Sequence, residues 1–74
     1  MSLAMPGVGY WEELKKLLGK RFNSIDNDCI YFNQNNEETA RWAQERLKQK
    51  YPDCEFDCVY DDDIEEWTVE VYVL

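Results

Sequence analysis

From Cys54 onward the chain is written in a period of two. In CEFDCVY, Cys54, Phe56, Cys58 and Tyr60 alternate with Glu55, Asp57 and Val59, and in WTVEVYVL, Trp67, Val69, Val71 and Val73 alternate with Thr68, Glu70 and Tyr72. Successive side chains of a strand point to opposite faces, so this period sorts greasy from ionised groups only on extended backbone. A helix would scatter the same residues around its circumference. Two half-buried strands are therefore expected, and their closeness in sequence makes a hairpin the economical connection. The pattern leaves the register open. A two-residue turn sets Glu55 opposite Glu70, a four-residue loop sets Asp57 opposite Glu70, and both pairs repel.

The segment between the strands, YDDDIEEW, carries five carboxylates in six positions: Asp61, Asp62, Asp63, Glu65 and Glu66. A calcium loop spaces its ligands with other residues and needs glycine at its sharp bend. Here three aspartates are adjacent and no glycine is near. Aspartate favours turns through its own side-chain hydrogen bonds, so the segment reads as a solvated hairpin loop. No metal and no cofactor are expected.

Upstream, Tyr10, Trp11, Leu14, Leu17 and Leu18 fall within about a third of a helical circle at roughly 100° per residue, which predicts a first helix stopping at Gly19. NSIDND has the composition of a turn, and CIYF that of a short strand. Asn35, with Glu38 three residues on, is the expected cap of a second helix through EETARWAQERLKQKY, closed before Pro52. Its apolar stripe is Ala40, Ala43, Leu47 and Tyr51. Residues 1–9 are expected to be a flexible lead-in to a single domain over 10–74. The predicted architecture is an α+β two-layer sandwich, α-β-α-β-β, with a right-handed crossover. Its three-stranded sheet has the order 1-3-2, the valine-rich last strand lying centrally, and both helices cover one face. This resembles half of a ferredoxin-like fold, a likeness of topology that implies no function.

Several functions are disfavoured by composition. With 74 residues the chain is near the lower limit for a self-sufficient core, yet 45% hydrophobic and 15% aromatic content is too apolar for disorder. No apolar run approaches the roughly 18 residues that span a bilayer. The start, MSLAMPGVG, lacks the basic and apolar regions of a signal peptide, and a cytoplasmic address is the default expectation. The formal net charge of −8 is uneven, with nine acids and no base from Pro52 to Leu74. Direct nucleic-acid binding needs clustered lysine and arginine, so neither nucleic acid nor an anionic membrane is an expected partner. The chain has no histidine, so the commonest general base and every Ser-His or Cys-His arrangement are missing. Cys29, Cys54 and Cys58 are expected as packed thiols. Cys54 and Cys58 on one strand would have Cα atoms roughly 13 Å apart, beyond disulfide reach.

What remains is binding. If Phe56, Cys58, Trp67 and the valines face the core, the opposite face shows Asp53, Glu55, Asp57, Thr68 and Glu70, extended by Glu66 and the loop acids. Val59 and Tyr72 add apolar grip. Such a face is either plainly solvated or docks a basic protein patch, with long-range attraction speeding encounter. Trp42 is the other anomaly, about 200° round its helix from Ala40 among polar neighbours. Either the first helix or lead-in folds over it, or a second copy or a partner covers it. The expected function is that of a small acidic protein-interaction module without catalytic activity, acting on a basic partner or on itself as a homodimer. Its expected contact residues are Trp42, Glu55, Asp57, Asp61, Asp62, Asp63, Glu66, Glu70 and Tyr72. The alternative is a phage-type acidic decoy that mimics nucleic acid and blocks a nucleic-acid-binding protein.

Overall fold

The structure is a computed structural model that describes residues 11–34 and 36–73. The expected lead-in at 1–9, Tyr10, Asn35 and Leu74 lie outside the described residues. Its elements are α1 (Trp11–Leu18), one 3-10 turn (Gly19–Arg21), β1 (Phe22–Asp26), β2 (Cys29–Phe32), α2 (Glu37–Lys50), β3 (Cys54–Asp61) and β4 (Glu66–Val73).

Two helices pack against one antiparallel sheet of four strands in the order β1-β2-β4-β3. The expected three-stranded sheet in order 1-3-2 is thereby corrected. The additional strand is β1, most of which belongs to NSIDND, the segment whose composition predicts a turn. Its alternation is hidden by an irregularity: Phe22 pairs with Phe32 but Ser24 with Tyr31, so the register shifts around Asn23. Phe22 and Ile25 both reach the core although they are three residues apart, a spacing that reads as helical. Asn33 holds this irregularity in place. Its backbone N–H donates to Arg21 O at 2.9 Å, its amide donates to Lys20 O at 2.8 Å, and Asn23 Nδ2 donates to its Oδ1 at 2.7 Å. The β1–β2 hairpin then closes through Asn27 and Asp28, with Asn27 at φ 56°, a left-handed conformation that asparagine tolerates.

The central strand is β4. Val69 pairs with Ile30 on one side and Cys58 on the other, and Val71 pairs with Phe56. Onto this row α2 lays Ala40, Ala43 and Leu47, all fully buried, with Tyr51 at its end. Small alanines let the helix approach the sheet closely, and Leu47 fills the space beyond them. The helix begins at Asn36, whose Oδ1 accepts a hydrogen bond from Thr39 N–H at 2.8 Å, so the cap lies one residue later than the expected Asn35. Leu14 and Leu18 of α1 complete the same core from the same side of the sheet. Gly19 ends α1 at φ 66°; nothing lies within 4 Å of a Cβ placed there, so backbone conformation and not space favours glycine. No helix among the described residues is long and apolar enough to cross a membrane.

Replacing Leu47 by alanine opens a cavity under the sheet and should cost about 3 kcal/mol in urea unfolding. Asn36→Ala, which removes only the cap, should cost about 1 kcal/mol by the same measurement. A reversed ranking would show that α2 is not held by its apolar stripe.

Candidate functional site

With both helices on one side, the other face of the sheet is left open. One row across it reads Asp26, Cys29, Glu70, Asp57 through four paired strands. Next to it, Ser24 pairs with Tyr31 and Thr68 with Val59, and beyond the other side Tyr72 pairs with Glu55. At the hairpin end Asp61 pairs with Glu66, which leaves Asp62, Asp63, Ile64 and Glu65 as a four-residue loop. The register is therefore the one that sets Asp57 directly opposite Glu70. Like charges in cross-strand pairs are destabilising, each by some tenths of a kcal/mol.

Local contacts partly accommodate the crowding. The Tyr72 hydroxyl donates to Glu70 Oε1, and Asp63 N–H donates to Asp61 Oδ1 at 2.9 Å, folding the loop back on its own first acid. Thr68 is 1% exposed despite standing on the open face; its hydroxyl donates to Val59 O at 3.3 Å. Around it lies a shallow depression whose lining includes Cys29, Val59, Thr68 and Glu70 together with Asp61, Asp62 and Asp63. Two tyrosines feel the acids. The hydrogen bond to Glu70, then partial burial and the charges of Glu70, Asp57 and Asp28, push the Tyr72 hydroxyl up to about 12. Tyr31 is likewise raised to about 12, first by its hydrogen bond to and electrostatic interaction with the Cys29 side chain, then by burial and by Asp26 and Asp61.

All eight lysines and arginines lie in α1, the 3-10 turn and α2, and no strand contains one. Among the described residues the single salt bridge is Arg41–Glu37 at 2.7 Å, within α2 itself. Bases occupy one layer, and most of the acids belong to the sheet and its turns. The hydrophobic core lies between them.

The structure brings Glu55, Asp57, Asp61, Glu66, Glu70 and Tyr72 onto this one face, with Asp62 and Asp63 in the loop at its end. Trp42 is not among them. It sits half-buried on the helical layer, packed against the core, with the guanidinium groups of Arg21 and Arg46 at 4.2 and 5.1 Å from its ring centroid. Arg46 also donates from Nε to Leu17 O at 3.1 Å, tying α2 to the end of α1. Asp26, Cys29 and Tyr31 belong to the open face and are absent from the expected contact residues. The one available signal for them was a two-residue Asn-Asp turn between Ile25-Asp26 and Cys29-Ile30.

All three cysteines are thiols. Burial raises Cys54 and Cys58 above the ordinary thiol range, Asp53 adding to the first, and the Cys58 thiol donates to Gln44 Oε1 at 3.3 Å. Both therefore pack as protonated side chains. No group of three or more Cys, Asp or Glu side chains among the described residues is arranged to hold a metal ion. Compared with known proteins, the chain matches no family model, no curated protein and no solved structure.

Asp57→Lys turns the repulsive pair with Glu70 into an attractive one and should raise stability by about 0.5 kcal/mol in urea unfolding. A loss of stability would mean that the Asp57 carboxylate is satisfied by its surroundings. The Tyr72 hydroxyl bond is present below pH 10 and is lost as pH rises through about 12. In an ultraviolet titration Glu70→Gln should move one tyrosine from the late-ionising fraction to near the ordinary value of about 10. An unchanged titration would contradict the coupling.

Proposed function

We propose that this chain is a non-catalytic protein-interaction module whose open sheet face docks a positively charged protein surface. The observation that carries this reading is the pair of like-charge rungs, Asp57 with Glu70 and Asp61 with Glu66, on a face without a single base. A face needed only for solubility is better served by interspersed signs, which avoid cross-strand repulsion. Local rules are most often broken where a site demands it, so two repulsive rungs on one surface support a role outside folding. Val59, Tyr72 and the loop residue Ile64 supply the apolar contact that a purely ionic surface lacks; Ile64 and Tyr72 are among the most exposed large side chains. Charge gives such a contact its encounter rate and its salt dependence, and the aromatic residues give it residence. A nucleic-acid decoy is the narrower form of the same reading, because a mimic occupies its target through the same carboxylates.

The test compares proteins retained from a cell extract by the wild-type chain and by the variant carrying Glu55→Lys with Glu70→Lys. A genuine partner is basic, is released as salt rises, and is absent from the charge-reversed variant. Retention that tolerates both reversals would make the open face merely solvated. Release of the partner by added duplex DNA or RNA would identify the decoy form.

A further inference from the structure

We propose that the positively charged surface met by the open sheet face is the helical layer of a second copy of this chain, joined head to tail. The inference rests on the docking reading above and names its partner. Its basis is the separation of charge: every base is carried by the helical layer, where the eight bases outnumber the glutamates Glu12, Glu13, Glu37, Glu38 and Glu45, and only Arg41 is in a salt bridge among the described residues. The groove between α1 and α2 is lined by Lys16, Leu17, Arg46 and Lys50, together with Glu12 and Glu13. Lys16, Lys20 and Lys50 are exposed. The acids facing the other way are equally without bases to pair with. The two surfaces cannot meet within one molecule because the core stands between them, whereas two molecules stacked sheet to helix bring them together.

Such a contact joins different patches on the two copies, so each dimer still presents one free surface of each kind. Association therefore continues into chains or a ring and does not stop at two. Strands of five, four, eight and eight residues, about 4.8 Å apart and rising about 3.3 Å per residue, make a face of roughly 400 Å². That lies at the small end of specific interfaces, where association is weak and concentration-dependent. The net charge of −8 opposes it at long range, and screening at moderate ionic strength leaves the facing patches to act over about 10 Å.

Sedimentation velocity of the full chain over rising concentration tests this, in about 0.1 M and about 1 M salt, where screening lengths are roughly 10 Å and 3 Å. The weight-average sedimentation coefficient should climb with concentration in the first buffer and stay at the monomer value in the second. Two neutralised variants then dissect the contact. One carries Glu55→Gln, Asp57→Asn and Glu70→Gln; the other carries Lys16→Gln, Lys20→Gln and Lys50→Gln. Circular dichroism confirms that each is folded, and should the sheet triple variant not fold, Glu55→Gln with Asp57→Asn replaces it. Each alone should remain monomeric, and an equal mixture should form a species of two chains and nothing longer, because only one complementary pair of faces survives. A wild-type chain that stays monomeric at every concentration in 0.1 M salt overturns self-association, while docking of a different basic protein still stands. Association of either variant alone at wild-type strength, or a mixture that stays monomeric while the wild type associates, overturns the head-to-tail arrangement.

Discussion

The placement of β4 between β2 and β3 is the constraint from which the rest follows. Its apolar side, Val69 and Val71, meets Ile30, Cys58 and Phe56 in direct cross-strand pairs; α2 rests on this strand and on β3, while α1 packs against β1 and α2. Its other side, Thr68, Glu70 and Tyr72, is thereby turned away from the helices together with the acids of β3. One strand thus decides both where the core lies and where the carboxylates gather. A one-residue slip of β4 would exchange the two sets and put Glu70 under α2, at the cost of burying an unpaired charge.

The same layering explains why a chain so rich in charge makes so few ion pairs. Lysine and arginine suit the solvent-facing turns of helices, where their long stems cover apolar surface. Most of the aspartates and glutamates fall at the outward positions of strands and in the turns joining them, and five glutamates share the helices with the bases. With the core between the bases and most of the acids, attraction across the molecule is weak, and the helical layer stays net positive while the sheet face is acidic. Repulsion within the sheet is tolerated because each rung costs little compared with the burial of the valines beneath it. The energetic hierarchy is clear: burial sets the register, and electrostatics accepts it.

The elements most legible in the residues were those with an unbroken period. The stripe Ala40, Ala43, Leu47, Tyr51 and the alternation after Cys54 correspond to α2, β3 and β4, because each is long enough for its period to show. β1 was not legible. The shift at Asn23 spaces its two core residues, Phe22 and Ile25, as a helix would, and what holds the shift is Asn33, ten residues away. The cap of α2 differed by one residue because adjacent asparagines offer the same chemistry, and only the path of the backbone selects Asn36. The hairpin register could not be chosen from charge, since both candidate pairings oppose two carboxylates. The structure adopts the one that sets Val69 between Ile30 and Cys58.

Sequence by itself determined that an acidic, aromatic-bearing face exists on extended backbone, that histidine chemistry is absent, and that all positive charge lies upstream of Pro52. These are local properties of composition and period, and they survive any arrangement of the elements. Tertiary structure alone decided that Asp26, Cys29 and Tyr31 join that face, that Arg21 and Arg46 lie over Trp42, and that most of the acids end across the core from the bases. Those facts depend on which strands are neighbours, and neighbourhood is set by burying side chains distant in sequence, which no local pattern records.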